Sequence, residues 1–349
     1  MSDDDLLRAT IAGLLQDARK RDRPSPHSVW QQLHDAGFIG IGVPESAGGS
    51  GGDLAAAAVL VRQCARFEEF STLPVGSTVL IGHWLRATAG LPADLAPTVA
   101  AVASGLSITA VADGFRVCGL VPRIVGARFA SSQLLVARDL GRVISIGDCH
   151  NRPGVSIEPN DGHAPVALDD IVLDDVTVDS GSVRTLPPTA LTALDLRIGL
   201  LATVYIAGLL DEVFDLTLRY AGERQQFGRP IAAFQMVKEM IALLAAEVIA
   251  AGAAADGAVA AASAGRDGAE LALRAAELRA GRAADVASRL AHQVHGTIGV
   301  TSEYPLHHYT TQLWHWRDAG HSRFDGELQL GRLLATRGPD GLWPAVAGS

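Results

Sequence analysis

Residues 219–230 read RYAGERQQFGRP and space three arginines evenly, Arg219, Arg224 and Arg229, in a chain whose formal net charge is -9. They form a local basic spot in an acidic protein. Beside them stand Gln226, Phe227 and Gly228, so a planar cation, an amide, an aromatic ring and a flexible break follow one long helical run. This combination suits a large, flat, partly anionic ligand. A guanidinium clasps a pyrophosphate through two donors, an amide bonds ribose or phosphate oxygens, and a phenyl face packs on a ring. A simpler reading is a helix end, with last-turn arginines favouring the helix dipole and Pro230 as the stop. The rest of the chain decides between the two.

Working outward, the stretch IGLLATVYIAGLL (Ile198–Leu210) is too short to span a bilayer and is flanked by Arg197 and Asp211, so it reads as a buried helix. Helices are expected from about residue 190 to 222, from 234 to about 264, and over the alanine-rich 269–296. Pro187 and Pro188 mark the boundary before them, with Thr189 as a fair N-cap. The alanines of 250–264 read as a packed bundle helix, because Ala is the best helix former and allows close approach. Residues 106–178 change texture: β-branched segments such as LSITAVADGFRVCGL and ALDDIVLDDVTVD are broken every eight to twelve residues by Gly, Asp or Asn. Residues 1–105 return to helical period, interrupted by PESAGGSGGD. The expectation is an α+β chain with an N-terminal helical domain (1–105), a middle antiparallel β domain (106–186) and a C-terminal four-helix bundle (187–349).

Composition narrows the function. With 349 residues, 48% hydrophobic and 19% charged, the chain is globular and can bury a large core. Its acidic balance argues against a nucleic-acid surface, which needs a net basic face. The acidic opening MSDDDLLRAT lacks the basic and apolar segments of a signal peptide, so a cytoplasmic protein without a membrane span is expected. Cys64, Cys118 and Cys149 have no paired spacing and read as small buried hydrophobes. PESAGGSGGD lacks the Lys-Ser/Thr of a phosphate loop. His292, His295, His307, His308, His315 and His321 lack metal-ligand spacing, so no metal is expected and structural histidines are favoured. No serine sits in a Gly-x-Ser-x-Gly elbow.

Two further blocks settle the reading of the opening stretch. PIAAFQMVKEMIA follows it at once, and far downstream comes HQVHGTIGVTSEYPLHHY, in which Gly296 and Gly299 allow close backbone approach. With ERQQFGRPIAAFQ, QVHGTIGVTSEYP and the early GFIGIGVPESAGGSGGD, the chain resembles the acyl-CoA dehydrogenase family of flavoproteins over nearly its whole length. The resemblance implies the acyl-CoA dehydrogenase-like fold, an acyl-CoA substrate, FAD at a subunit interface and an electron-transfer acceptor. It implies that Arg224 and Gln226 hold the pyrophosphate region. Phe227, Phe234 and Gln235 would pack on or bond the cofactor, and Gln293, His295, Gly296 and Thr297 would line its adenosine end, all reaching a FAD seated on the neighbouring subunit.

The departures from the family are specific. Members usually seat the flavin on their own chain with a Leu-Thr-Glu-Pro, Gly-x-Gly-Ser loop and a Trp-Ile-Thr strand. Here the loop has no room before the strand expected at Leu106–Val111, and GLVPRIVGAR puts Arg123 and Val125 where the aromatic and hydroxyl groups belong. Valine donates no hydrogen bond to a flavin, and an arginine is costly to bury unpaired there. The family's catalytic carboxylate lies in a Tyr-Glu-Gly turn. At a comparable place stand Phe324, Asp325 and Gly326, so Asp325 is the candidate base, Glu327 a weaker one and an exposed turn aspartate the simpler reading. The alternative position early in the long helix holds Arg197 and Ile198. The pattern resembles the short chain of α2β2 bacterial relatives, which lacks its own flavin seat and completes the FAD site of a second acyl-CoA dehydrogenase chain in lipid or steroid catabolism. A self-sufficient homotetramer using Asp325, or a flavin-free structural or acyl-CoA-binding member, are the alternatives.

Overall fold

The computed structural model describes residues 3–20, 25–67, 73–160, 164–265, 268–319, 323–338, 341 and 344. The chain divides into two units, Met1–Arg197 and Ile198–Ser349.

The first unit begins with helices α1 (Asp3–Arg19), α2 (Pro26–Asp35), α3 (Leu54–Ala65) and α4 (His83–Ala89). Their starts are local chemistry. Ser25 Oγ accepts the Ser28 N–H at 3.1 Å with Pro26 at the first helical position, and Asp53 Oδ1 accepts the Ala56 N–H at 3.0 Å. A π-helical turn, Ser77–Gly82, leads into α4. The glycine-rich loop folds onto itself: Gly42 N–H bonds Gly51 O, Gly51 N–H bonds Val43 O, and a Cβ on Gly49 would lie 2.1 Å from Val43 O. Gly49 serves close backbone packing, while Gly48, Gly51 and Gly52 supply the positive φ of the turns.

Two four-stranded sheets follow. One runs β1 (Thr98–Ala103), β4 (Ser132–Ala137), β5 (Arg142–Gly147) and β8 (Val183–Thr185). The other runs β2 (Ser107–Val111), β3 (Gly114–Val125), β7 (Leu168–Asp179) and β6 (Val155–Pro159). Inward residues of both sheets, among them Val99, Leu135 and Ile144 from the first and Val117, Val121 and Ile171 from the second, share one apolar core. Truncating a fully buried member such as Leu135→Ala would cost about 2–5 kcal/mol.

The structure departs from the sequence expectation in two places here. Residues 98–103 form strand β1, so strand begins before Leu106; the alanine-rich TVAAVA matches a fully covered strand and carries no helical period. β1 also pairs β4 in parallel, because β2 and β3 cross to the other sheet before the chain returns; the other named strand pairs are antiparallel.

Helix α5 (Pro188–Glu223) runs across the boundary between the units. Pro188 opens it, so Thr189 lies in the first turn instead of capping it. The second unit continues with α6 (Gln235–Ser263), α7 (Ala269–His295), α8 (Leu306–Ala319) and α9 (Arg323–Thr336). α7 packs on α6, α8 and α9. α5 meets α7 where a Cβ on Gly199 would strike Glu277 Oε1, and meets α8 where Tyr205 stacks on Trp316 with centroids 4.5 Å apart. By length and apolarity α5 and α6 could cross a membrane; 61% of the apolar window of α5 is buried within the protein, against 28% for α6. Ile198–Leu210 forms the buried middle of α5, with Val204, Ile206, Leu209 and Leu210 in the core.

Candidate functional site

RYAGERQQFGRP ends helix α5 and folds back on itself. Arg224 N–H closes the last turn on Tyr220 O at 2.9 Å, and Ile231 N–H returns to Arg224 O at 2.8 Å. Between them β9 (Gln225–Gln226) and β10 (Arg229–Pro230) pair antiparallel around a two-residue turn. Both turn residues have positive φ, 51° at Phe227 and 75° at Gly228. This is the tight hairpin that matches strand twist, and it favours Asn-Gly or Gly-Gly. An aromatic residue in the left-handed region costs about 1–2 kcal/mol, and Phe227 is 92% exposed, so no burial offsets the strain. Strained, exposed backbone of this kind points to a functional contact.

The underside of the hairpin is anchored. The Arg229 guanidinium lies 4.4 Å over the Phe234 ring, and Phe227 meets Phe234 edge-on at 6.1 Å. Phe234 packs with Tyr220, Ala232 and Val237 against a buried cluster of Ala221, Ile231 and Val294. Arg229, which the sequence leaves without a task, therefore fixes the aromatic floor. Gln235 is exposed and donates Nε2–H to Glu239 Oε1 at 3.0 Å. Arg224 and Gln226 are exposed, and Arg224 has no carboxylate partner among the described residues.

Val294 belongs to the second block, and here the two blocks meet. α7 ends at His295 and turns through a 3-10 segment, Gly296–Val300, with Gly296 at φ 63°. Gln293, in the last turn of α7, and Gly296 and Thr297, on the 3-10 segment, are exposed. A Cβ on Gly299 would press within about 3.1 Å of the His295, His292 and Leu306 side chains, so a larger residue there would force these neighbours to shift. His295 is 3% exposed. It stacks on Tyr220 at 4.4 Å, lies 4.9 Å from Tyr304, and donates Nδ1–H to Ala291 O at 2.8 Å. Burial pushes its pKa down and leaves Nε2 buried without a partner. His295 thus props the loop from behind, while Gln293, Gly296 and Thr297 form the outer surface. Tyr304 OH donates to Leu216 O at 3.3 Å and ties this turn to α5.

The other late histidines have structural partners. His292 Nε2 bonds Thr310 Oγ1 at 2.9 Å, His307 Nδ1 bonds Tyr304 O at 3.0 Å, and the His307 and His308 rings lie 3.9 Å apart. His321 lies outside the described residues. Among the described residues no three His, Cys, Asp or Glu side chains group as a metal site.

The place expected for the chain's own flavin contacts looks different. β3 breaks register with β7 between Val121 and Ile124, and inside the bulge Arg123 has φ 58° and an exposed side chain. Its N–H donates to Asp170 Oδ1 at 2.8 Å, and Asn160 Nδ2–H donates to the same carboxylate at 3.0 Å. These bonds hold the Asp170 pKa down. Val125 stands opposite Leu168. Neither an aromatic ring nor a hydroxyl is presented there, and these residues do not fit an isoalloxazine. The hairpin and α7 turn, by contrast, fit an extended anion with flat ends: an exposed cation, exposed amides, a projecting ring and a glycine turn.

Asp325 lies in helix α9 and not in a turn; its side chain lies outside the described residues. Glu327 pairs with Arg282 at 3.2 Å. Cys64 and Cys149 are buried, whereas Cys118, expected to be buried, is half-buried on β3. Sequence reasoning missed Tyr220 and Tyr304 as the props of His295. Tyr220 lay inside the quoted block, but its partner is 75 residues away, and no periodicity links them.

The model of the acyl-CoA dehydrogenase N-terminal domain matches residues 4–93, and that of the acyl-CoA dehydrogenase C-terminal domain matches 193–315. The chain is 29% identical over 318 residues to acyl-CoA dehydrogenase IpdE2 of Mycobacterium tuberculosis, spanning 87% of this chain and 88% of that protein. It is 28% identical over 319 residues to CarC, a subunit of the caffeyl-CoA reductase–Etf complex of Acetobacterium woodii, spanning 80% and 82%. Among solved structures, the ChsE4–ChsE5 complex of Mycobacterium tuberculosis is similar in fold with a TM-score of 0.82 at 19% identity, covering 96% of this chain and 98% of that one.

Proposed function

The chain belongs to the acyl-CoA dehydrogenase family, oxidoreductases acting on acyl-CoA, and on that premise we propose that it works as one chain of an α2β2 complex, completing the FAD site of a second acyl-CoA dehydrogenase chain. The observation that carries the proposal is Phe227, strained at φ 51° and 92% exposed at the tip of a hairpin. A residue held outward at a cost in backbone energy is suited to a surface that another chain supplies.

In this reading Arg224 clasps the pyrophosphate through two charge-assisted bonds, Gln226 bonds the adjoining polar atoms, and Phe227 covers a ring edge. Phe234 and Gln235 hold the base of the hairpin, and Gln293, Gly296 and Thr297 line the adenosine end with His295 behind them. FAD, when bound, supplies the hydride acceptor for α,β-dehydrogenation of an acyl-CoA thioester. The mismatch at Arg123 and Val125 supports a FAD seated on the partner. The heteromeric names ChsE4–ChsE5 and the Etf complex of CarC support a partner chain and an electron-transfer acceptor. A cytoplasmic place and a role in lipid or steroid catabolism belong to the same proposal.

The test is purification of the chain alone and co-expressed with a second acyl-CoA dehydrogenase chain. Flavin absorbance is expected only in the co-purified complex. A yellow lone chain with stoichiometric FAD would overturn the shared-site reading and return catalysis to a homotetramer with Asp325 as base.

A further inference from the structure

Among the described residues, several buried or half-buried arginines meet a carboxylate. Arg86 pairs with Asp94 at 2.8 Å, Arg128 with Asp169 at 2.7 Å, and Arg274 with Glu277 at 2.9 Å. Arg197 is different. It is half-buried near the start of α5, donates Nη1–H to Leu80 O at 2.6 Å and lies 4.8 Å over the Trp84 ring, with no carboxylate in reach among the described residues. A carbonyl and an aromatic face orient a guanidinium without neutralising it. Burial without a counter-charge pulls its pKa down to about 10. Leu80 sits in the π-helical turn Ser77–Gly82, an irregularity that recurs at functional sites.

A desolvated cation that the protein leaves uncompensated is costly unless an anion arrives from outside. The planar fork selects for a planar, two-oxygen anion, and the indole beneath it favours an apolar body attached to that anion. We propose that Arg197, with Trp84 and the Leu80 carbonyl as its frame, is the receptor for a carboxylate group of a small organic ligand. The carboxylate comes either from a free acid or from the far end of an acyl-CoA; the second source rests on the acyl-CoA reading above.

The experiment is calorimetric titration of the full chain, alone and in its complex, with three probes: glutarate, glutaryl-CoA and butyryl-CoA. Wild type is compared with Arg197→Gln and Arg197→Lys, each checked for an unchanged melting transition. The expected result is that at least one carboxylated probe binds wild type and loses tenfold or more in Arg197→Gln, with part restored by Arg197→Lys, while butyryl-CoA is unaffected. Binding of glutarate points to a free acid; binding of glutaryl-CoA alone points to a carboxylated acyl chain. Equal affinity of butyryl-CoA and glutaryl-CoA, unchanged in Arg197→Gln, overturns the inference and leaves the acyl-CoA reading standing. Failure of both CoA esters with glutarate bound does the reverse, and failure of all three probes overturns both. If Arg197→Gln does not fold, the wild-type preference for glutaryl-CoA over butyryl-CoA and its loss in Trp84→Leu decide the matter.

Discussion

Tyr220 stacks on His295 with ring centroids 4.4 Å apart and planes within 21° of parallel, joining the end of α5 to the end of α7. This contact positions the hairpin against the glycine turn. Tyr220→Ala is expected to destabilise the chain by about 1–2 kcal/mol, from the lost aromatic pair and part of the half-buried ring. Flavin content of the complex should fall with it. Tyr220→Phe keeps the stack and should behave as wild type in a thermal melt and a flavin spectrum.

Arg224→Ala should separate binding from stability. The side chain is exposed, so the melting temperature should not move. Loss of a bidentate charge-assisted contact is worth about 2 kcal/mol, roughly a 30-fold weaker hold on FAD. Equilibrium dialysis of the complex at graded FAD concentrations measures it; an unchanged affinity would remove Arg224 from the site.

Stability should depend on pH through the histidines. His83, His292, His295 and His308 are each pushed below the ordinary value of 6.5, chiefly by burial. Below that value the unfolded chain binds more protons than the folded one, so stability falls as pH falls. Above it both states are neutral and the histidine contribution is flat. Thermal melts should therefore be level from about pH 7 to 8 and decline from about pH 6.5 downward. His295→Phe, which preserves the stack but cannot titrate, should flatten part of the decline.

Thiol reactivity should be uneven. Burial pushes Cys64 to about 12 and Cys149 to about 11, so neither forms thiolate at neutral pH. Cys118 is half-buried on β3 and should be the one thiol of three titrated by an aromatic disulfide reagent in the folded protein. All three should react in denaturant. Fast native reaction of Cys64 would mean that the α3 core opens readily.

Asp325→Ala distinguishes where the base resides. With the partner chain supplying catalysis, acyl-CoA-dependent dye reduction by the complex should change less than about twofold. Loss of a general base would instead cost about 10²–10⁴-fold and move catalysis onto this chain.

The sequence alone determined the helix–strand–helix order, the long helices within one or two residues, and the two blocks that carry the resemblance. Hydrophobic period and proline or glycine boundaries are local, and local chemistry sets the elements. It misplaced the start of strand at TVAAVA, since a short alanine-rich run has no period of its own and becomes strand only by pairing with β4. Within the candidate site, the residue types of ERQQFGRP suggested a flat, partly anionic ligand, and QVHGTIG joined them only through the resemblance. Only the tertiary structure decided that Phe227 projects while His295 is buried, that Arg229 fixes Phe234, and that Arg197 has no carboxylate partner among the described residues. Those properties depend on contacts between residues far apart in the chain, and burial of a charge or strain at a turn is a property of the surroundings.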